Sequence, residues 1–200
     1  DRFNRWEEGN KENNWNKIVN AVDSTRGKVI TYDGKVINAF FHSNSGGITE
    51  TASNVWGGQN FPYLKSVETS GEDEYSEYNS EVELRKDELT NKLKEKHSEI
   101  EINYEENDVI KIIEFTESGR VKKIKFGNVE ISGTEARTIL GLKSTNFNFE
   151  IRDNSVIFFV KGYGHGVGMS QTGADSLAKQ GASYEEIIKH YYSDVDIIDI

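Results

Sequence analysis

The chain has 200 residues, of which 35% are hydrophobic and 11% aromatic, so it can bury one core, or one core and a small satellite module. It contains no cysteine, which excludes disulfides, thiolate zinc sites and cysteine nucleophiles within these residues. The formal net charge of −10 disfavours nucleic acid and anionic membrane surfaces as partners.

No apolar run of the sequence reaches the roughly 18 to 20 residues of a membrane-spanning helix. The given residues do not open with the basic-then-apolar pattern of a signal peptide, and the first of them, Asp1, is not an initiator methionine. We therefore expect a processed or truncated piece of a longer protein, with room for a membrane anchor upstream.

The first third of the chain predicts one helix and one hairpin. Apolar residues recur at helical spacing within residues 6–22 and predict an amphipathic helix ending before Gly27: Trp15, Ile18, Val19 and Val22. Residues 29–32 and 36–41 have the pattern of strands, and Asp33-Gly34 between them supplies the positive φ angles of a tight type I′ turn. Residues 43–58 are rich in glycine and predict a long loop, which in a small domain is usually functional.

Charged residues become frequent between about residues 68 and 155. The pattern predicts strands near residues 82–84, 110–115 and 121–126, helices near 89–93 and 134–140, and a hairpin turning at Asp153-Asn154. We interpret this stretch as an inserted α+β module.

Glycine returns in the last third of the chain. Residues 156–160 predict a strand that runs into the glycine-rich residues 162–171, and a helix follows at about 173–180. Ser183 followed by Glu186 has the form of a capping box and predicts another helix, whose buried face is expected to be Ile187, Ile188 and Tyr191. Residues 195–200 predict a final strand.

These elements predict an α+β fold of mixed β-hairpins and short helices. The main domain is expected to comprise residues 1–67 and 156–200, and the smaller α+β module at residues 68–155 is expected to be inserted into it.

Two segments carry residue types suited to binding or catalysis. The first, the His42 segment (residues 41–50, Phe-His-Ser-Asn-Ser-Gly-Gly-Ile-Thr-Glu), ends an apolar strand in small polar residues that can present hydroxyls and an imidazole to a sugar. The alternative is a turn whose polar side chains bond their own backbone.

The second, the glycine segment (residues 162–171, Gly-Tyr-Gly-His-Gly-Val-Gly-Met-Ser-Gln), has alternating glycines that allow a ligand to approach the backbone closely. A dinucleotide-binding fingerprint and a P-loop both fail on spacing. The alternative is a tight strand-to-helix turn packed on the core.

Other catalytic arrangements find little support in the spacing. His165 and Ser170 are close in sequence, but no Gly-x-Ser-x-Gly elbow is present, so a serine hydrolase remains a weak option. His42, His165 and Glu50 could meet to bind zinc, although no zinc-ligand spacing appears, and we expect no metal. His97 and His190 are expected to be surface or capping residues.

The same segments resemble a known family. Residues 34–47 (Gly-Lys-Val-Ile-Asn-Ala-Phe-Phe-His-Ser-Asn-Ser-Gly-Gly), followed by Thr49-Glu50, Val55-Trp56-Gly57 and Pro62-Tyr63-Leu64, resemble the stage II sporulation protein D family. Residues 164–174 (Gly-His-Gly-Val-Gly-Met-Ser-Gln-Thr-Gly-Ala) resemble it too, as do Ser132-Gly133-Thr134 and Leu140-Gly141-Leu142. The resemblance covers nearly all of the chain from residue 18 onward.

The resemblance implies a peptidoglycan lytic transglycosylase, which cuts glycan strands between N-acetylmuramic acid and N-acetylglucosamine and leaves an anhydro-sugar end. It implies a role in the engulfment step of sporulation, beside stage II sporulation proteins P and M. It also implies an extracytoplasmic location, with a membrane anchor at the N-terminus of the intact protein. Modifier proteins that enhance wall amidases are among the relatives.

Cleavage of a glycosidic bond needs a protonated carboxylic acid, and in a lytic transglycosylase the sugar's own hydroxyl replaces water as the nucleophile. The resemblance implies that the family's catalytic glutamate, on a Glu-Ala-Leu-Lys-Ala-Gln-Ala helix, lies upstream of Asp1, together with a cysteine-containing stretch that holds zinc in some relatives. We therefore expect no cofactor here and leave the catalytic residue unassigned. Glu50 is a weak candidate for the acid, and a supporting role in its loop is the preferred reading.

The resemblance also implies a set of residues that line a groove for peptidoglycan glycan strands. They are His42, Ser43, Ser45, Gly46, Gly47, Glu50, His165, Gly166, Gly168, Met169, Ser170 and Gln171. Among them, His165, Ser170 and Gln171 are expected to hydrogen-bond the sugar, and the glycines to admit the glycan backbone. The two segments should then lie side by side in one cleft. The alternatives are a non-catalytic peptidoglycan-binding module and an amidase-activating scaffold.

Overall fold

The structure, a computed structural model, describes residues 7–58 and 61–200. Within them it has six α-helices and eleven strands, which confirms the α+β class. The helices are α1 (Lys11–Ser24), α2 (Ala52–Trp56), α3 (Lys86–Lys94), α4 (Gly133–Leu140), α5 (Gln171–Lys179) and α6 (Tyr184–Tyr191). The strands are β1 (Lys28–Tyr32), β2 (Lys35–Val36), β3 (Phe41–His42), β4 (Asn79–Arg85), β5 (Ile110–Phe115), β6 (Val121–Phe126), β7 (Val129–Ser132), β8 (Asn146–Ile151), β9 (Ser155–Lys161), β10 (Met169–Ser170) and β11 (Asp196–Asp199).

The described chain divides into two units. The first combines residues 7–37 with 195–200 and contains α1 and a three-stranded antiparallel sheet in the order β11-β1-β2. Asp33 and Gly34 have φ angles of 47° and 72°, so the predicted type I′ hairpin turn is confirmed. The predicted helix is also confirmed from residue 11, whereas residue 6 lies outside the described residues.

The second unit, residues 38–194, contains three further sheets. Their orders are β4-β9-β8, β5-β6-β7 and the parallel pair β10-β3. A buried hydrophobic cluster, drawn from residues between Leu84 and Val160, lies among the first two sheets and α3 and α4. Leu89, Ile124 and Phe158 in this cluster are completely buried. Removing each of these side chains from water stabilises the folded state by about 1.5 to 3 kcal/mol. This core supports the loops described below.

Most elements lie where the sequence predicts them, including β4, α3, β5, β6, α4, the β8-β9 hairpin and β11. The Ser183 capping box on α6 is also present, with Ile187 and Tyr191 buried and Ile188 half-buried. The boundaries of the predicted inserted module, at residues 68 and 155, stay a prediction. No helix in the described ranges has the length and apolar character that crossing a membrane requires.

The structure corrects three predictions. The single strand predicted at residues 36–41 is wrong, because β2 ends at Val36 and the chain turns through residues 38–40 before β3 pairs with another strand. The loop predicted at residues 43–58 contains the short helix α2. The predicted module lacked β7 and a 3₁₀ turn at Glu72–Glu74, both of which are present.

Candidate functional site

The His42 segment and the glycine segment lie side by side, as predicted. Strand β3 pairs in parallel with β10, which places Ser170 opposite His42. Asn44 and Tyr163 exchange two backbone hydrogen bonds of 3.1 and 2.8 Å, and the Glu50 N–H donates to the carbonyl of Gly166 at 2.8 Å. We refer to the two paired segments as the loop pair.

Close packing around the loop pair depends on glycine at two positions in particular. Gly168 has a φ of +72°, and a Cβ there would lie 2.0 Å from the carbonyl oxygen of Phe40. Gly166 has a φ of +83°, and its Cβ would lie 2.7 Å from the guanidinium carbon of Arg120. These glycines therefore allow the chain to pack against itself, a reason distinct from the predicted approach of a glycan.

A buried carboxylate, Glu72, joins the two segments. It is 1% exposed and accepts the N–H groups of Ser45 and Gly47, both at 2.9 Å. The hydroxyls of Ser45 and Ser170 also donate to it. Burial alone would raise the pKa of Glu72, but hydrogen bonds from Ser170, Ser45 and Thr69 outweigh burial and lower the pKa to about 2. The carboxylate is therefore charged at neutral pH.

Glu50, the weak candidate for the acid, is likewise buried and fully hydrogen-bonded. One oxygen accepts the Thr51 N–H at 2.7 Å and the Asn54 amide at 2.9 Å. The other accepts the hydroxyls of Thr116 and Ser118, both at 2.6 Å. These bonds tie the His42 segment to the turn between β5 and β6, which is the geometry of a supporting residue.

Arg120 is a buried side chain that hydrogen-bonds the backbone of the His42 segment. It is 1% exposed, and its Nη2 donates to the carbonyl of Ser45 at 2.6 Å and to that of Ile48 at 3.3 Å. Burial lowers the pKa of Arg120 to about 10, with the Glu50 charge acting in the opposite direction, so the guanidinium remains charged at neutral pH. A buried cation thus accompanies the two buried carboxylates.

The two histidines of the loop pair, His42 and His165, differ in exposure. His42 is buried, and its Nδ1 donates to the carbonyl of Val167 at 3.2 Å. Burial lowers the pKa of His42 to about 3, with a smaller effect from the Arg120 charge, so the ring is neutral at physiological pH. His165 is half-buried, and burial followed by the charge of Arg137 lowers its pKa. Because His165 Nδ1 accepts the Val167 N–H at 3.1 Å, the neutral ring carries its proton on Nε2.

Aromatic side chains surround His165. Its ring centroid lies 5.2 Å from that of Trp56 and 5.7 Å from that of His42. Trp56 also packs against Phe40 at 4.8 Å, yet remains 48% exposed. The His165 ring also hydrogen-bonds the Phe41 backbone, so the imidazole edge and the exposed indole offer a sugar ring a polar edge already held in place and an apolar surface.

The predicted groove residues separate into surface and interior groups. Gln171, the first residue of α5, is exposed, and the half-buried members are Ser43, Gly47, His165 and Met169. The buried members are His42, Ser45, Gly46, Glu50, Gly166, Gly168 and Ser170. The hydroxyl of Ser170 is therefore engaged inside the loop pair, where it donates to Glu72.

Sequence reasoning did not identify Glu72 or Arg120 as part of this site. Both lie in the charged middle of the chain, 27 and 75 residues beyond Ser45, their shared contact. Trp56 was part of a matching motif but was not proposed as a site residue. Within the described residues, no cluster of three or more His, Asp or Glu side chains is arranged to hold a metal ion.

Known proteins resemble this chain over most of its length, although no family model matches it. It is 36% identical over 185 residues to Stage II sporulation protein D of Bacillus amyloliquefaciens, covering 92% of this chain and 52% of that protein. It is 34% identical over 181 residues to Stage II sporulation protein D of Bacillus subtilis, covering 90% of this chain and 51% of that protein.

A third relative carries a different name. The chain is 29% identical over 227 residues to the protein named Amidase enhancer of Bacillus subtilis, with 89% of this chain and 32% of that protein covered. The chain thus spans about half the length of the two sporulation relatives and a smaller share of the third. On these matches, and on the paired motifs, the chain belongs to the stage II sporulation protein D family.

Proposed function

We propose that this chain is part of a sporulation protein that remodels the bacterial cell wall, and that the intact protein is a peptidoglycan lytic transglycosylase. The names of two relatives support the sporulation role. The observation that carries the proposal is the loop pair, in which the two segments with the strongest family resemblance fold against each other beside a half-exposed histidine and tryptophan.

The surface around His165 has the chemistry to hold a glycan strand. A sugar ring can pack on the exposed indole of Trp56 while the half-buried imidazole of His165 and the exposed amide of Gln171 bond hydroxyl or acetamido groups. The buried Glu72, Glu50 and Arg120 act indirectly, because their hydrogen bonds fix the backbone that presents these side chains.

The two buried carboxylates that hydrogen-bond the loop pair, Glu72 and Glu50, are poorly suited to donate a proton. Glu72 is ionised at neutral pH, since its pKa is about 2, and it has no open face toward solvent. Both oxygens of Glu50 already accept hydrogen bonds. A transglycosylase needs a protonated acid at the leaving oxygen, so we propose that a carboxyl group outside these 200 residues supplies it.

The partners and location follow only from the family resemblance. We propose peptidoglycan glycan strands as the substrate and stage II sporulation proteins P and M as protein partners. The intact protein is proposed to be anchored in the engulfing membrane with this chain outside the cytoplasm.

The experiment is mass spectrometry of purified peptidoglycan after incubation with the intact protein. We expect anhydro-muramyl ends from the wild type, and a loss of about tenfold in their rate of formation for His165→Ala, since one hydrogen bond to substrate is removed. His190→Ala is the matched control, because that histidine is exposed and its ring hydrogen-bonds the Glu68 carbonyl, outside the loop pair. An absence of anhydro ends from the intact wild type contradicts the transglycosylase proposal.

A second candidate function rests on the match to the protein named Amidase enhancer. Under this second candidate function, the chain binds the cell wall and stimulates an amidase without forming a product itself. Adding a purified wall amidase to the same incubation distinguishes the two, because stimulation without anhydro ends supports the second candidate.

A further inference from the structure

A groove of about 520 Å³ lies on the outward face of the β4-β9-β8 sheet, within the range of about 300 to 1,000 Å³ typical of ligand sites. The register places Asn79, Lys161 and Asn146 opposite one another across the three strands. Two residues along, Glu81, Phe159 and Asn148 form a second row on the same face.

The composition of the two rows differs from that of the other face of the sheet. Val82, Phe158 and Phe149 face the hydrophobic cluster, as expected for a half-buried antiparallel sheet. On the outward face, Phe159 is 37% exposed although it lies on the central strand, and Phe115 beside it is 53% exposed. Two exposed phenylalanines within one polar groove suggest that an apolar surface of a ligand packs there.

The polar groups of the groove are predominantly neutral amides. Within the described part of the chain, the side-chain amides of Asn79 and Asn146 have no hydrogen-bond partner, and that of Asn148 uses only its oxygen, which accepts the Phe149 N–H. Each amide offers donors and an acceptor. The single cation and single anion, Lys161 and Glu81, cancel in charge.

This chemistry selects among classes of ligand. A polyanion such as nucleic acid is disfavoured by one lysine in a chain of net charge −10. A pyranose ring has an apolar face for the phenylalanines and a rim of hydroxyl groups for the amides, and an acetamido group pairs with both halves of an asparagine amide. A neutral N-acetylated sugar fits both the phenylalanines and the asparagine amides of the groove.

The groove lies next to the loop pair. Lys161 ends β9 directly before Gly162, where the glycine segment begins. A Cβ at Gly46 would lie 3.2 Å from Cβ of Lys161, so the His42 segment touches the end of the groove. A polymer several sugars long could therefore contact both.

We propose that the groove formed by Phe159, Phe115 and the asparagines of β4 and β8 is a second binding site for N-acetylated glycan, separate from the surface around His165. This inference rests on the proposed function, because it assigns the groove to the same polymer. It positions a strand away from the reacting bond and takes no part in the chemistry.

The test is a titration of the isotope-labelled 200-residue chain with chitotetraose, the tetramer of N-acetylglucosamine, followed by nuclear magnetic resonance. We expect the side-chain NH₂ signals of Asn79, Asn146 and Asn148 to shift with added sugar. Phe159→Ala should lower the apparent affinity obtained from these shifts about tenfold. Phe159→Tyr should preserve the affinity because the aromatic ring remains.

Two control variants make the result specific. Ile113→Ala removes an apolar side chain of similar exposure, 43%, from β5 outside the groove, and should leave the titration unchanged. His165→Ala should alter shifts near the loop pair and leave the groove amides responding. Asn148→Ala provides a second groove variant, and the backbone spectrum reports whether each variant is folded.

Each outcome decides the inference. Shifts at the groove amides that Phe159→Ala reduces support the groove as a glycan site. If signals near His165 do not move in the same titration, only the proposed sugar contact at His165 is contradicted. Shifts confined to the surroundings of His165 overturn the groove and leave the proposed function intact. Shifts with a stem pentapeptide but none with chitotetraose, or no shifts with either, also overturn it.

Discussion

Three buried charged side chains, Glu72, Glu50 and Arg120, form a polar network that hydrogen-bonds the loop pair. Glu72 and Glu50 accept from backbone N–H groups, hydroxyls and one amide, and Arg120 donates to two carbonyls of the same segment. Inside a protein such bonds are electrostatically strong, and an unpaired group is costly. The network therefore favours one geometry for a loop that has few apolar side chains to pack.

The first prediction concerns the pH dependence that Glu72 imparts. Its folded pKa of about 2 lies below the usual 4.5, so its contribution to stability is complete above pH 4.5 and is lost as the pH falls toward 2. Over that window the wild type should lose about 2 to 3 kcal/mol of unfolding free energy through this group. Urea unfolding at a series of pH values should show this loss, and Glu72→Gln should reduce the slope.

At pH 7, Glu72→Gln should itself cost about 1 to 3 kcal/mol, because an amide NH₂ would face groups that already donate. Glu74→Gln is the control, since Glu74 lies in the same 3₁₀ turn and is exposed. Equal slopes for wild type and Glu72→Gln between pH 4.5 and 2 would contradict the stabilising role of the carboxylate.

His42 gives a prediction at higher pH. Its folded pKa of about 3 lies below the usual 6.5, so the folded state binds fewer protons than the unfolded state between these values. The free energy of unfolding should therefore decrease as the pH is lowered through this window, by about 1.4 kcal/mol per pH unit. Between pH 6 and 4.5 the wild type should lose about 2 kcal/mol more than His42→Gln, which cannot titrate.

The measurement is the same urea series, with His190→Gln as the control because His190 is exposed. A parallel pH dependence for wild type and His42→Gln would show that the imidazole is not held neutral.

At the scale of elements, local periodicity was informative where an element meets the hydrophobic cluster. The apolar spacing of residues 82–84, 89–93 and 121–126 predicted β4, α3 and β6, because burial on one face imposes a period of 2 or 3.6. Turn chemistry was equally informative at Asp33-Gly34, where positive φ angles demand particular residues.

The strands of the loop pair could not be predicted in this way. β3 and β10 have two residues each, too few for any period, and β3 forms only because β10 lies beside it in space. The adjacency of the two segments came from the family resemblance. Glu72 and Arg120 left no local signal, since a buried charge can be recognised only from partners distant in sequence.

The glycine segment allows a test of why its glycines are there. Gly168→Ala should destabilise by more than 3 kcal/mol, because the new Cβ meets the Phe40 carbonyl in addition to the cost of positive φ. Gly141→Ala is the matched control, since its φ of +71° is almost the same and nothing lies within 4 Å of its Cβ. That variant should cost only about 1 to 2 kcal/mol, measured by urea unfolding.

If the two alanine variants lose equal stability, the crowding at Gly168 is relieved by movement, and the tight packing of β10 on residue 40 is not what requires glycine. Circular dichroism of each variant would show whether the fold is retained.

At the scale of the whole chain, charge sets the conditions for binding. The formal net charge is −10, and the stem peptides of peptidoglycan carry carboxylates, so long-range electrostatics oppose the encounter. The contacts proposed at His165 and in the groove are aromatic packing and neutral hydrogen bonds, which salt screens little. Recognition should therefore be short-range.

The last prediction follows from that balance. Raising NaCl from 50 to 500 mM shortens the screening length from roughly 14 Å to roughly 4 Å, so repulsion between chain and wall weakens. The fraction of the chain bound to purified peptidoglycan in a sedimentation assay should stay constant or rise about twofold to threefold. A basic protein of similar size, measured in parallel, should show the opposite trend. Lys161→Gln should leave the salt response unchanged, because one lysine contributes little to a net charge of this size. A tenfold fall in wall binding with salt would mean that local cations dominate recognition, and that the neutral surfaces described above are not where the glycan is held.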